Sequence, residues 1–179
     1  MKILETERLF LRGWQLEDLD ALYGCAHNPD IGIMTGWEPH SNKEVSLNVL
    51  KSYIESDENW AIVLKESGKV IGQIGISPDE NRGKYYAKYM NYMLSSDYWN
   101  KGYMTEAVKR VTKYLFEEMN LDLLTIFFYP HNVRSKRVVE KCGYKYETTI
   151  KQARKIYDGQ VYDTVVYSML KSDYFAFGS

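Results

Sequence analysis

Cysteine is scarce in this chain of 179 residues, which contains only Cys25 and Cys142. Two cysteines are too few for the disulfide framework of a small secreted domain, and neither stands in a spacing typical of metal ligands. The three histidines, His27, His40 and His131, form no spaced metal-binding cluster. The sequence therefore predicts two reduced, structural thiols and no metal site, with a reactive thiol as the open alternative.

An excess of charge of one sign is also missing, because 23 Lys and Arg face 24 Asp and Glu and leave a net charge of −1. A bulk basic surface for nucleic acid or an anionic membrane is thereby excluded, although a local patch is not. No apolar run approaches the ~20 residues of a spanning helix, and the charged N-terminus lacks a signal-peptide segment. We therefore expect no nucleic-acid partner, no membrane association and a cytoplasmic location.

Three familiar ligand-binding or catalytic motifs are absent. No G-x-x-x-x-G-K-[ST] segment occurs, which argues against a P-loop nucleotidase, and no G-x-G-x-x-G follows the first strand, which argues against a dinucleotide fold. No G-x-S-x-G segment occurs either, which disfavours a hydrolase. What is present is an ordinary globular composition, 45% hydrophobic and 26% charged, in a length that suits one compact domain.

Hydrophobic periodicity predicts the order strand, helix, helix, three strands, helix, strand, helix, two strands, which fits a mixed sheet with helices on both faces. In the first part of the chain, residues 7–12 are expected to form a strand, and residues 18–26 are expected to form a helix. The segment 28–39 is rich in Pro and Gly and is interpreted as a loop or irregular turns. Ser41 is expected to begin the second helix, with Glu44 completing a capping box.

The remaining elements are expected at residues 60–65, 70–77 and 85–94 (strands), from Gly102 onward (helix), and at 123–129 (buried strand), 132–141 (helix), 144–150 and 161–170 (strands). The helix after Gly102 is long enough to cross over between parallel strands.

The segment 98–107, Y-W-N-K-G-Y-M-T-E-A, joins the strand at 85–94 to a strongly amphipathic helix. A strand, a glycine-containing loop and a helix start bring free N–H groups and the positive end of the helix dipole to one spot. Gly102 lets the backbone approach a ligand closely. The pattern indicates a site for the pyrophosphate of a coenzyme, or, on the loop alone, an ordinary turn.

A second motif follows the next buried strand, where P-H-N-V-R-S at 130–135 leads into E-K-C-G-Y at 140–144. These two motifs and their separation resemble those of the GNAT superfamily of acetyl-CoA-dependent N-acetyltransferases. E-T-E-R-L-F-L-R at 5–12, G-W-E-P at 36–39 and D-G-Q-V-Y-D at 158–163 are similar to the branch containing ribosomal-protein N-terminal acetyltransferases. The resemblance covers nearly the whole chain.

The resemblance implies one N-acetyltransferase domain over residues 1–179 with an α/β (α+β) fold, in which a mixed, mostly antiparallel central sheet is flanked by helices on both faces. It implies transfer of an acetyl group from acetyl-CoA, without a metal, to a primary amine by direct attack in a ternary complex. The acceptor is a protein N-terminus or a small-molecule amine. Pairing of the final strands in relatives also suggests a homodimer.

By the same resemblance, ten residues are expected to bind the coenzyme: Met93, Leu94, Asn100, Lys101, Gly102, Tyr103, Met104, Thr105, Asn132 and Ser135. Ser135 is the candidate donor of a proton to the departing thiolate, with a purely capping hydroxyl as the equal alternative. Trp37 and Glu38 are the candidate acceptor-binding residues, although the alternative for Trp37, a packed aromatic that anchors the loop, is slightly favoured.

Three positions depart from the family pattern. Trp99 stands where Gln or Arg is frequent, Met104 replaces a small residue, and Tyr89 occupies a place where relatives often carry a carboxylate. Tyr89, Glu38, Glu147 and Asp163 therefore remain open as groups that receive the amine proton, directly or through water. Because the carboxylate is missing at Tyr89, a second hypothesis stays open. In this hypothesis the protein is a non-catalytic acyl-CoA-binding or regulatory module of the same fold.

Overall fold

The protein is described from a computed structural model, which covers residues 1–79, 82 and 86–177. The strands in this part of the chain are β1 (Leu4–Glu5), β2 (Leu9–Gly13), β3 (Asn59–Leu64), β4 (Val70–Pro78), β5 (Ala87–Leu94), β6 (Leu123–Phe128), β7 (Lys145–Lys155) and β8 (Val161–Leu170). The helices are α1 (Leu19–Ala26), α2 (Pro29–Thr35), α3 (Lys43–Ser56), α4 (Tyr103–Glu117), α5 (Val133–Lys141) and α6 (Lys171–Phe177). None of these helices is both long and apolar enough to cross a bilayer.

The strands form one sheet in the order β1-β2-β3-β4-β5-β6-β8-β7. All neighbouring pairs are antiparallel except β5 and β6, which are parallel and are connected through α4. The prediction of a mixed, mostly antiparallel sheet is confirmed.

Two hydrophobic cores cover the two faces of this sheet, as the alternation of β3 shows. Trp60, Ile62 and Leu64 pack in a cluster that contains the apolar side of α4. The intervening Ala61 and Val63 pack in a second cluster with residues of α1, α2 and α3. Since successive strand side chains point to opposite faces, the helices must lie on both sides of the sheet.

The interpretation of residues 28–39 as a loop or irregular turns is wrong, because residues 29–35 form α2. Asn28 accepts a hydrogen bond from the Asp30 N–H at 2.9 Å, and Pro29 occupies the first turn. Gly36 ends the helix in the left-handed region at φ +83°. The residues that suggested breaks in the chain are thus the cap, first turn and stop of a short helix.

Element ends differ from expectation in other places. α3 begins at Lys43, and its cap is Asn42, whose side chain accepts from two first-turn N–H groups, so the Ser41–Glu44 capping box is not formed. β7 is longer than the predicted 144–150, and α6 was not predicted. Residue 85, the first of the expected strand 85–94, lies outside the described residues.

Candidate active site

A gap opens in the middle of the sheet where β5 and β6 separate. Their parallel pairing covers three residue pairs and ends at Tyr89 and Thr125. β5 continues to Leu94 along β4, whereas β6 continues to Phe128 along β8. The far halves of the two neighbouring strands therefore form the walls of a cleft.

The β5 wall of this cleft presents main-chain polar groups. The Ser95 N–H donates to the carbonyl of Ile71 in β4 at 2.8 Å. Since alternate residues of a strand direct their main-chain groups to opposite sides, Tyr92 and Leu94 direct theirs toward β6. The Leu94 carbonyl accepts a hydrogen bond from Trp99 Nε1 at 2.8 Å. The Leu94 N–H and both main-chain groups of Tyr92 are thus in position to pair with an extended, amide-containing ligand.

A first cleft extends from this wall to the start of α4. Gly102 is in the left-handed region at φ +84°, and its carbonyl accepts the first helical hydrogen bond, from the Glu106 N–H. The N–H groups of the three residues in between, Tyr103, Met104 and Thr105, have no partner within the helix. Arg134, Arg137 and Lys141 of α5 line the same cleft. Free N–H groups facing three cationic side chains match the pyrophosphate and phosphate groups of a coenzyme.

The loop before α4 is held in place by residues that lie between β1 and β2. Glu106 accepts hydrogen bonds from Thr6 Oγ1 at 2.5 Å, from the Arg8 N–H at 2.9 Å and from Arg8 Nε at 2.7 Å. Arg8 Nη1 also donates to the Lys101 carbonyl at 3.1 Å. Burial alone would raise the pKa of Glu106, but these hydrogen bonds and the guanidinium charge outweigh it and lower the pKa. We call Thr6, Arg8 and Glu106 the loop clamp.

Two departures from the family pattern have a structural explanation. The Trp99 side chain connects the loop to Leu94 through its indole N–H, and the Arg134 guanidinium lies 4.1 Å from the centroid of a Trp99 ring. The Met104 side chain is buried in the α4 core cluster while also forming part of the cleft wall. Its bulk is therefore accommodated by the core.

The start of α5 connects this helix to α2. The Asn132 side chain accepts from the Ser135 N–H at 3.0 Å and donates to the Met34 carbonyl at 3.1 Å. His131 Nε2 lies 3.1 Å from the Ile33 carbonyl. Asn132 thus acts both as a helix cap and as a tie between two helices, and it holds Ser135 at the cleft.

A second cleft passes through the gap toward the face covered by α1–α3. It shares five lining residues with the first cleft: Met34, Thr35, Tyr92, Asn132 and Ser135. Its walls are rich in aromatic rings, including Tyr89 stacked on Phe127 with centroids 4.1 Å apart. A donor in the first cleft and an acceptor in the second would meet where the shared residues lie.

Tyr92 and Ser135 are the hydroxyl groups at this meeting point. The Tyr92 hydroxyl oxygen is shielded from solvent and makes no hydrogen bond of good geometry to any described residue. Burial raises the pKa of Tyr92, and the neighbouring Ser135 hydroxyl opposes that rise without cancelling it. Burial likewise raises the pKa of Tyr89. Both phenols are therefore protonated at neutral pH, so Tyr89 is not available as a phenolate base.

The three carboxylates that were considered as acceptors of the amine proton lie away from the clefts. Glu38 is exposed and lines neither cleft. Glu147 pairs with Arg82 at 2.6 Å, and Asp163 pairs with Lys151 at 2.9 Å. Among the described residues, no Asp or Glu lines either cleft, and no group of three or more His, Cys, Asp or Glu is arranged to hold a metal ion.

The structure brings most of the expected site residues together. The expected coenzyme-binding residues line the first cleft except Lys101, whose ammonium lies 5.2 Å from the Tyr98 ring centroid. Trp37 and Tyr89 line the second cleft. The sequence analysis missed Arg134, Arg137 and Lys141, although their spacing of three and four places them on one side of a helix.

Comparison with known proteins is consistent with this arrangement. Residues 8–145 match the Acetyltransferase (GNAT) domain. The chain is 26% identical over 174 residues to the uncharacterized N-acetyltransferase YoaA of Bacillus subtilis (strain 168), covering 94% of this chain and 97% of that protein. It is 28% identical over 103 residues to the [ribosomal protein uS5]-alanine N-acetyltransferase of Escherichia coli (strain K12), covering 56% and 53% of the two chains.

The fold comparison agrees with the sequence comparison. A GNAT-family acetyltransferase structure from Bacillus anthracis superposes with a TM-score of 0.87 at 23% identity, covering 96% of this chain and 99% of the other. Since the domain match spans most of the chain, the protein belongs to the GNAT family of acetyltransferases, which use acetyl-CoA.

Proposed function

We propose that residues 1–179 form a single N-acetyltransferase domain that transfers an acetyl group from acetyl-CoA to a primary amine by direct attack in a ternary complex. The observation that carries the proposal is the meeting of two clefts at Tyr92, Asn132 and Ser135. One cleft has the free N–H groups and cations that suit a coenzyme, and the other is open to a second molecule. Direct transfer needs this geometry.

The residues of the first cleft fit the coenzyme. Bound there, acetyl-CoA would supply an acetyl thioester as the electrophile. The N–H groups of Tyr103, Met104 and Thr105 would hold phosphate oxygens, together with the three cationic side chains of α5 that line the cleft. The main chain of Tyr92 and Leu94 would pair with the amide-containing arm, and one of their N–H groups would stabilise negative charge on the acetyl oxygen.

Proton movements complete the reaction. The amine nitrogen bonds to the acetyl carbon while the carbon–sulfur bond breaks, so the nitrogen loses a proton and the sulfur gains one. Ser135, next to the protonated Tyr92 hydroxyl, is the group that delivers the proton to sulfur, and it regains a proton from solvent. Because no described carboxylate lines the second cleft, the amine proton passes to water.

The non-catalytic module remains the second hypothesis, and the same lack of a carboxylate favours it. Both hypotheses predict binding of acetyl-CoA, measured by calorimetry. They differ in coenzyme release when the protein is incubated with peptides that have free N-termini, aminoglycosides, polyamines and small monoamines. Release of free coenzyme A together with an acetylated product of the correct mass supports the enzyme. Binding without turnover of any amine supports the module.

We also propose a homodimer formed through β7. This eleven-residue strand is at the edge of the sheet, and Tyr146 and Ile150 on it are exposed. An exposed edge with apolar side chains is a surface on which a second sheet can pair. Light scattering should give twice the monomer mass, and Ile150→Lys should reduce it to the monomer mass. A wild-type monomer would contradict this assembly.

A further inference from the structure

Trp99 fixes the end of β5 at the wall of the first cleft. Its indole N–H donates to the Leu94 carbonyl at 2.8 Å, and the N–H of the same peptide group, that of Ser95, donates to the Ile71 carbonyl at 2.8 Å. Both polar atoms of this peptide group are therefore paired. The Trp99 ring also packs against apolar side chains of both core clusters, which restricts its orientation.

The face of the same indole holds a cation. The Arg134 guanidinium lies 4.1 Å from the centroid of a Trp99 ring, and both residues line the first cleft. Arg134 is exposed and forms no ion pair with any residue in the described part of the chain, so the protein does not neutralise its charge. An aromatic face restricts a guanidinium that would otherwise sample many rotamers, and it leaves the N–H groups at the guanidinium edge free to bind an anion.

The two contacts of Trp99 serve different parts of one ligand. Coenzyme A in the first cleft would have phosphates near the cations of α5 and amides along the main chain of Tyr92 and Leu94. The Trp99 ring face acts at the phosphate end through Arg134, and the Trp99 N–H acts at the amide end through Leu94. Because one rigid indole makes both contacts, it sets the position of the cation relative to the strand end.

From these contacts, and resting on the proposed placement of the coenzyme in the first cleft, we infer that Trp99 is a positioning residue for the acetyl donor. Its ring face presents Arg134 to a phosphate of the coenzyme, and its N–H fixes the strand end that aligns the thioester arm. The pair Trp99 and Arg134 therefore selects a donor that has both a phosphate and an amide-containing arm, and a thioester of pantetheine alone loses the contribution of Arg134.

The first test removes the cation with and without the ring. Arg134→Met should lower the affinity for coenzyme A by about 10-fold or more, because a charge-assisted contact with phosphate is lost. It should leave the affinity for pantetheine, which has no phosphate, unchanged. In a Trp99→Leu background the effect of Arg134→Met on coenzyme A should be smaller by about threefold or more, because no aromatic face holds the guanidinium. Calorimetry measures these affinities, with displacement of coenzyme A for the weaker ligand.

The second test removes the indole N–H alone. Trp99→Phe keeps an aromatic face for Arg134 and leaves the Leu94 carbonyl without its donor. It should lower the affinities for coenzyme A and for pantetheine by the same factor, about threefold to tenfold. Arg134→Met in this background should retain its full effect on coenzyme A. The two substitutions at Trp99 thus separate the ring face from the N–H.

Lys136 supplies a matched control for the loss of charge. It lies on α5, is exposed, lines neither cleft, and has its ammonium 3.9 Å from a Glu140 carboxylate oxygen. Lys136→Met should change the affinity for coenzyme A by less than about twofold, because an exposed charge outside the site is screened by salt. Thermal unfolding verifies that each variant is folded.

The outcomes are distinguishable. A full effect of Arg134→Met in folded Trp99→Leu overturns the inference, as does an equal loss of both affinities in Trp99→Leu, which would give Trp99 a structural role alone. Wild-type affinity for pantetheine in Trp99→Phe also overturns it, and that measurement decides if Trp99→Leu does not fold. Each of these results leaves the proposed function intact. A wild-type protein that binds no coenzyme A overturns the proposed function and this inference together.

Discussion

Replacing Gly102 by Val tests whether the backbone conformation of the loop before α4 determines coenzyme affinity. Gly102 has φ +84°, and a Cβ built on it would lie 3.4 Å from an Arg8 guanidinium nitrogen. Left-handed backbone destabilises an L-residue by about 1–2 kcal/mol, and the valine methyl groups would also press on the loop clamp. The free variant can relieve this strain by moving the loop, which turns the N–H groups of α4 away from the phosphates.

The expected loss of coenzyme affinity follows from the strain energy at residue 102. If binding restores the original conformation, the lost 1–2 kcal/mol reduces coenzyme affinity by about 5-fold to 30-fold. Isothermal calorimetry with coenzyme A, which cannot donate an acetyl group, measures the change directly. Strain that persists in the free protein appears instead as a lower melting temperature, by about 2–8 °C for a chain of this size.

Gly159 supplies a matched control. Its φ is +81°, its Cβ would meet no atom within 4 Å, and it lies in the turn between β7 and β8, outside the residues that line the clefts. Gly159→Val should therefore lower the melting temperature by a similar amount and leave the affinity unchanged. A folded Gly102→Val protein that binds coenzyme A as tightly as the wild type would refute the reasoning.

Three further outcomes are expected. Ser135→Ala should lower kcat by about 100-fold or more, the usual range for loss of a positioned proton donor, with a much smaller effect on coenzyme affinity; equal kcat removes Ser135 from the mechanism. Glu106 has a lowered pKa, so its stabilising effect is present above its unfolded value of about 4.3 and is lost as pH falls through the folded value. Urea unfolding between pH 6 and pH 3 should therefore show a steeper loss of stability for the wild type than for Glu106→Gln, and parallel curves would contradict the loop clamp. Burial raises the pKa of Cys25 to about 11 and that of Cys142 to about 12, so neither thiol should be alkylated by iodoacetamide at pH 8 until the protein is unfolded, as mass spectrometry can verify.

The order of strands and helices could be predicted from the sequence wherever one periodicity dominated a long segment. Leu9 and Leu11, alternate residues of the predicted strand 7–12, are both fully buried, and the apolar stripe of α4 is buried from Met104 to Leu115. α2 was missed because a seven-residue helix between Pro29 and Gly36 has too few turns to show a period. Its formation depends on the Asn28 cap and on contacts with α5 that are distant in sequence.

The coenzyme side of the site was more predictable than the acceptor side. A helix N-terminus after a glycine is a local feature, so residues 102–105 could be identified from one segment. The second cleft is assembled from Trp37, Gln73 and Tyr92, which lie on three separate segments. No short motif records that these three residues line one cleft, because their meeting depends on the fold of the whole chain. The loop clamp is equally non-local, since Arg8 and Glu106 are 98 residues apart.

The three residue pairs between β5 and β6 have a consequence for how the protein unfolds. These three pairs are the pairing that joins strands β1–β5 to strands β6–β8 within the sheet. This pairing is short compared with the seven residue pairs between β4 and β5. A coenzyme arm bonded to Tyr92 and Leu94 on one side and packed against β6 on the other would act as an additional strand across this seam. Bound coenzyme should then slow amide hydrogen exchange in β6 and β8 as well as in β5, so that two loosely coupled half-sheets unfold as one cooperative unit.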